Sequence, residues 1–264
     1  MGAIIKSVWT YRFFILSSIK TELKTRFARS KLGGIWMILH PLAMVLIYAL
    51  ILSQIMTAKL PGVSTQYAYP IHILSGIVGW TLFSEVLSRS LNVFIENGEL
   101  IKKLSFPKLA LPIITVGSAL INFVLLFIAM YVVFGFIGHF PTNAILWLPV
   151  LTIITLGLAV GIGLFFGVLN VFVRDVGQLI TLILQFWFWL TPIVYMVSIV
   201  PEKYHWLINL NPMTGITLGF NDVLLYDKVP DVNLLIYPSI VAIVMMMLSL
   251  FIFRKAGEEM ADVL

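Results

Sequence analysis

From Leu109 to Ile137 the chain runs 29 residues without a charged side chain. As a helix rising ~1.5 Å per residue, this run is ~43 Å long, more than the ~30 Å of hydrocarbon in a bilayer. A helix apolar on every side is either a protein-buried rod or a membrane span. Five further apolar stretches settle the choice. Together the six, at roughly 35–57, 71–94, 109–137, 145–169, 177–198 and 234–253, predict an all-α integral membrane protein with six transmembrane helices. A composition of 60% hydrophobic and 11% charged residues lies outside the soluble globular range and agrees with that reading. With no cysteine, disulfides and thiolate metal sites are excluded. The N-terminal segment shows no small-residue cleavage site after a short apolar core, so the first span is expected to act as an uncleaved anchor.

Charge sets the orientation. With the N-terminus placed in the cytoplasm, 14 of the 17 Lys and Arg residues fall inside and only Lys59, Lys203 and Lys228 outside. Cytoplasmic loops are the ones enriched in Lys and Arg, so both termini are expected to be cytoplasmic. A net charge of +5 also invites a nucleic-acid reading, but the basic residues lie beside spans. Residues 11–32 are too charged to cross. Leu16, Ile19, Leu23 and Phe27 line one helical face, flanked by Lys20, Lys24 and Lys31, the pattern of an amphipathic helix lying in the membrane interface.

Within the spans, polar residues are few. The fourth carries Gly157, Gly161, Gly163 and Gly167, two small-xxx-small pairs suited to close packing inside the subunit, with dimerisation as the less favoured use. Glu85 and Arg89 sit four residues apart near the inner end of the second span and can pair, with Arg89 near enough to the headgroups to snorkel. His40, His72, His139 and His205 are scattered without metal-ligand spacing, and no carboxylate cluster lies in the membrane. That disfavours an ion-coupled transporter or a lipid-modifying enzyme. No Gly-Lys dipeptide occurs, so the chain has no P-loop, and energy for any transport has to come from elsewhere.

The fifth span departs from lipid-facing chemistry. Gln178, Thr181, Gln185, Phe188, Pro192 and Tyr195 follow at spacings of 3, 4, 3, 4 and 3, which places them on one stripe, with Trp189 at its border. Such a stripe suits a pathway for a polar solute; it equally suits hydrogen bonds to neighbouring helices. Trp187 lies about half a turn from the middle of the stripe and reads as a lipid-facing or packing residue. Beyond this span, residues 199–233 are apolar enough to enter the membrane but are interrupted by Pro201, Pro212 and Pro230. They predict an outer re-entrant hairpin of two short helices, whose backbone needs protein cover, with Tyr204 and Trp206 at the interface. On the opposite side, the loop 95–107 is studded with Glu96, Glu99, Lys102 and Lys103 and closed by Pro107. It reads as a small helix offered to a cytosolic partner, or as a helix lying on headgroups. The turn at Arg174 and Asp175 is a second, weaker candidate contact.

Four stretches together resemble one family. LKTRFARSKLGGIWMILHPL (23–42) is similar to the entry into the first span of the membrane subunits of type-2 ATP-binding-cassette exporters for bacterial surface polysaccharides. WTLFSEVLSRSLNVFIENGELIKKLSFPKLALP (80–112) resembles that family's second span and coupling loop, and LTPIVY (190–195) with LNPMTGITLGFNDVLL (210–225) its fifth span and outer hairpin. The family often has Arg in the helix after NPMT, where this chain has Asn221 and Asp222.

The resemblance implies a single permease domain over 1–264. Residues 1–34 would be its interfacial helix, 35–198 its first five spans with the coupling loop at 95–107, 199–233 its outer gate, and 234–264 its last span and tail. It also implies a homodimer in the bacterial inner membrane, docked to two separate ATPase subunits that bind ATP and magnesium, with no cofactor in this chain. The substrate would be a lipid-linked polysaccharide such as an O antigen, capsule or teichoic acid. Tyr204, Trp206, Asn211 and Pro212 would belong to the gate. A permease for small lipids or drugs shares the fold; a membrane enzyme acting on polyprenyl-linked sugars is a further alternative, weakened by the missing acid or histidine cluster.

Overall fold

The computed structural model describes residues 9–25, 67–103, 107–257 and 259–264, with six isolated positions between Ile35 and Ile47. The expected first span at 35–57, with His40, lies otherwise outside the described residues. What is described is helical, without strands: α1 (Arg12–Thr25), α2 (Ala68–Glu96), α3 (Gly98–Lys103), α4 (Ala110–Phe136), α5 (Leu148–Phe172), α6 (Asp175–Leu190), α7 (His205–Asn209), α8 (Pro212–Leu224), α9 (Val232–Ala256) and α10 (Glu259–Val263). Four of these, α2, α4, α5 with its preceding turn, and α9, are long and apolar enough to cross a membrane.

α2 is the axis. Phe83, Val86, Leu87, Leu91 and Phe94 on it are fully enclosed, and α4, α5 and α8 pack around it. The approach of α5 is backbone to backbone. A Cβ on Gly163 would fall 2.7 Å from Ser90 Cβ, and one on Gly167 would fall 2.6 Å from the Ser90 carbonyl oxygen. On its other side, Gly161 leaves a Cβ position 2.8 Å from the Met246 nitrogen of α9, with Gly157 facing Ala242. Two residues along a helix turn ~200°, so the 157/161 pair and the 163/167 pair look in opposite directions. Both glycine pairs therefore close contacts within the subunit, and α5 is clamped between α2 and α9.

The fifth apolar stretch is shorter than its hydropathy suggests. Expected to run to Ser198, it ends as a helix at Leu190, 16 residues and ~24 Å long. Pro192 is the cause. The residue before a proline is driven out of the α region, and Thr191 is extended at φ −94°, ψ 134°. The Thr191 hydroxyl then donates to the Trp187 carbonyl (2.8 Å), closing the helix end.

The segment 199–233, expected on the outer side, includes two short α-helices, α7 and α8. Pro212 takes the first position of α8, where its missing N–H costs nothing, and Asn211 caps it by accepting from the Met213 N–H (2.9 Å). Met213, Ile216, Phe220, Val223 and Leu224 are all fully enclosed. At Gly215 a Cβ would overlap the Leu234 carbonyl of α9 at 2.2 Å. α8 thus has the protein cover that its sequence called for.

α1 packs on α4 through a face that keeps Ile19 of the expected stripe, with Leu23 half-buried, but has Ile15 in place of Leu16. Ile15 is buried and Ile19 meets Gly117, while Leu16 is exposed. The reason is polar: Glu22 lies on the Ile15–Ile19 face and is drawn to an ion pair described below. Phe27 and Lys31 fall outside the described residues.

Candidate functional site

The α6 helix meets the rest of its subunit along one edge. Ile180 and Leu184 are its only buried residues, with Val176, Trp187 and Phe188 packed beside them. Gln178, Thr181 and Gln185 are exposed, and lie ~100° around the helix from the packed edge. Thr181 donates to its own Gly177 carbonyl (2.8 Å). Phe188 sits edge-on to Trp80 with ring centres 5.6 Å apart, and Trp189 is 66% exposed. The stripe stops there. Pro192 is buried and Tyr195 follows the helix end, so neither shares a helical face with Gln178–Phe188, contrary to the uninterrupted spacing in sequence. Tyr195 instead turns its hydroxyl to the Leu190 carbonyl (3.0 Å). Leu179, Leu182, Ile183 and Phe186, on the other flank, are exposed as well.

Both ends of α6 are pinned by asparagines, Asn170 buried and Asn211 half-buried, whose part the sequence does not announce. At the start, Asn170 Oδ1 accepts from the Gly177 N–H (2.8 Å), while its amide nitrogen reaches the Leu91 carbonyl and Asn92 (3.3 Å each). This fixes the turn bearing Arg174 and Asp175, both exposed. At the end, Asn211 Oδ1 accepts from Trp187 Nε1 (2.7 Å) and its Nδ2 donates to Thr191 Oγ1 (2.9 Å). Trp187 is a packing residue, set against Phe83 at 5.1 Å.

A polar cluster joins α1, α2 and α4. Arg89 is 3.6 Å from Glu85 and ion-pairs with Glu22. It also donates to Ser118 Oγ (3.0 Å), which in turn donates to Glu22 (2.9 Å), and Asn122 donates to Glu85 (2.6 Å). The Glu85–Arg89 pair was legible at its four-residue spacing. Glu22 was not, because 67 residues separate it from Arg89.

On the expected cytoplasmic side, Glu96 ends α2, and α3 follows after Asn97. Ile101 is buried and Glu99, Leu100 and Lys102 are exposed. The Lys103 side chain and residues 104–106 lie outside the described residues. Nearby, Pro107, Lys108 and Leu109 face Phe253, Arg254 and Gly257 across a cavity of about 280 Å³.

At the end expected to face outward, Tyr204 and Trp206 are exposed (47% and 62%), and Asn211 and Pro212 are half-buried. His205 and His139 each bond a backbone carbonyl, of Val200 (2.9 Å) and Leu224 (2.7 Å). His72 is buried beside Tyr69. Asp227, at φ 47°, accepts from the backbone N–H groups of Thr142 (3.0 Å) and Ala144 (3.1 Å), tying the 138–144 turn to the end of α8. The Ala144 N–H, more than the bonds from Thr142, holds its carboxyl below the usual carboxylate range against a small opposing effect of burial.

The sequence from residue 14 to residue 225, most of the chain, matches the family described as ABC-2 type transporter. The chain belongs to the ABC-2 type transporter membrane family. Members are transport subunits whose ATPase is a separate chain, so this subunit is not itself an enzyme. The chain is 30% identical over 259 residues to an O-antigen export system permease protein, RfbA, of Klebsiella pneumoniae, covering 96% of each chain. With RfbA of Myxococcus xanthus it shares 26% over 264 residues, 99% of each. With the polysialic acid transport protein KpsM of Escherichia coli it shares 23% over 244 residues, covering 90% of this chain and 92% of that one. The family match runs from α1 through α8, the span that includes α6 and the asparagines at its two ends.

Proposed function

We propose that the chain is the permease subunit of an ATP-driven exporter that moves a lipid-linked polysaccharide, an O antigen foremost, across the bacterial inner membrane. The observation that carries this is the match along 96% of both chains to an O-antigen export permease. In this reading two copies of the subunit pair, two ATPase subunits bind ATP and magnesium, and both termini are cytoplasmic. The chain crosses six times, with 35–57 as the first span, α6 with the residues after it as the fifth, and α8 as part of a hairpin dipping from the outer face.

The roles divide along the fold. Glu96, Glu99, Lys102 and Lys103 around α3, with Arg174 and Asp175, meet the ATPase. Gln178, Thr181, Gln185, Phe188 and Trp189 on α6, and Pro192 and Tyr195 beyond it, border the conduit. Tyr204, Trp206, Asn211 and Pro212 belong to its outer gate. A threading polymer needs many weak contacts and no deep trap, which amides and aromatic faces supply.

The test is genetic and biochemical. Cells lacking the chain should lose surface glycan and accumulate its lipid-linked form on the cytoplasmic face, and the intact gene should restore export. Normal surface glycan in the deletion, with a small lipid accumulating instead, would point to the other permease class.

A further inference from the structure

The inner end of the molecule has its own small core, separate from the one around the middle of α2. Val93, Phe94, Ile101, Leu111, Leu164, Val168, Val171 and Met260 form it. Its members come from α2, α3, α4, α5 and α10, with Ile252, Phe253 and Ala256 of α9 packed against them, and Met260 is fully enclosed at 0% exposure. Met260 belongs to α10, the short helix after the last long one. Leu264, just beyond α10, lies against the first residue of α3: a Cβ on Gly98 would stand 3.6 Å from Leu264 Cβ.

Two further links tie the flanks of α3 to the same place. Phe94, before it, stacks on Phe253 of α9 with ring centres 5.6 Å apart and planes 25° apart. Lys108, after it, donates to the Gly257 carbonyl at the end of α9, where a cation also meets the negative end of the helix dipole. The residues before, within and after α3 therefore all rest on the segment Phe253–Leu264.

A six-residue helix joined to α2 through one non-helical residue is too short to hold its own position. We infer that α10 is a strut for α3: Met260 and Leu264 are positioning residues that make α3 and the inner end of α9 move as one body. This rests on the reading of α3 as the ATPase contact, and it assigns the route by which movement at that contact enters the last long helix. Without the strut, ATP hydrolysis continues while less of its work reaches the transport helices.

The test uses the complete exporter with its ATPase. The chain has no cysteine, so Gly98→Cys with Leu264→Cys introduces the only pair. Disulfides need Cβ atoms roughly 3.5–4.5 Å apart, and the geometry here meets that. In purified exporter with dissolved oxygen as the oxidant, the bridge should form without a metal catalyst and leave export within about twofold of the reduced protein, because the two elements do not need to part. Met260→Asp should lower glycan exported per ATP hydrolysed by about five- to tenfold, the size of a modest coupling energy. Met260→Leu should restore it, and Met260→Ala serves if the aspartate form is poorly recovered. A role in folding alone would change the yield of complex but not that ratio.

Failure of the bridge to form in assembled exporter would overturn the inference. So would a bridge that stops export until reduced, or an unchanged ratio in both Met260→Asp and Met260→Ala. Failure of the ATPase-contact reading looks different: Glu99→Lys would leave ATPase recovery intact while the Gly98–Leu264 bridge still formed.

Discussion

α2 and α6 invert the usual relation between polarity and burial. α2 carries Glu85, Arg89, Asn92 and several serines, yet 20 of its 29 residues are buried. α6 is largely Leu, Ile, Phe and Trp between its few polar groups, yet only two of its 16 residues are buried. In lipid an apolar surface gains little by turning inward, so hydropathy does not rank helices by burial. Small residues that let backbones meet and polar groups that find partners do. α2 has both, in the glycines of α5 and in the Glu22–Arg89–Glu85 cluster. α6 is held by a narrow edge and an asparagine at each end, and the rest of its surface is exposed.

The comparison is broken most severely at the wall of α2. Gly167→Leu pushes a side chain into the Ser90 carbonyl, 2.6 Å from the first added atom. Overpacking of this kind costs about 3 kcal/mol, and with backbone on the other side there is little to yield. Purified single subunits should show a large loss of thermal stability, whereas Ile183→Ala on α6 should change it by less than about 0.5 kcal/mol. Equal tolerance at both sites would remove the distinction.

A smaller effect is expected at Arg89. Arg89→Ala removes the counter-charge of Glu22 and Glu85, leaving them their hydrogen bonds from Ser118 and Asn122, and should cost about 2 kcal/mol, the scale of hydrogen bonds to charged groups. Adding Glu22→Gln and Glu85→Gln should return part of it, since the loss comes from unpaired charge. A triple variant less stable than the single one would show that the bonds from Ser118 and Asn122 to the carboxylates outweigh the ion pairs with Arg89. Smaller again is Asn211→Ala, about 1 kcal/mol for a lost helix cap, read as a shift in melting temperature. It should loosen the outer end of α6 by freeing Trp187, and an unchanged Trp187 environment would argue against the pin.

These sites also show what the sequence made legible. The long apolar helices could be read from length and composition, and the glycine pairs of α5 from their four-residue spacing, because both signals are local. The end of α6 was masked by its own hydropathy: the run stays apolar to Val197, and only the effect of Pro192 on Thr191 decides where helix stops. Glu22 was hidden for a different reason. A residue on a basic interfacial helix gives no local sign that its partner lies on the second span, and that pairing goes with Ile15 rather than Leu16 against α4. Asn170 and Asn211 likewise act on neighbours that only the fold brings near.

The central claim is that α6 lends its polar stripe to a conduit formed outside the single subunit. Single cysteines at Gln178, Thr181, Gln185 and Ile183, in a chain with no others, test it directly. Labelled with a membrane-impermeant thiol reagent in assembled exporter hydrolysing ATP, the first three should react while Ile183→Cys stays protected. Protection of all four, or equal reaction of all four, would contradict the account and return the stripe to helix packing.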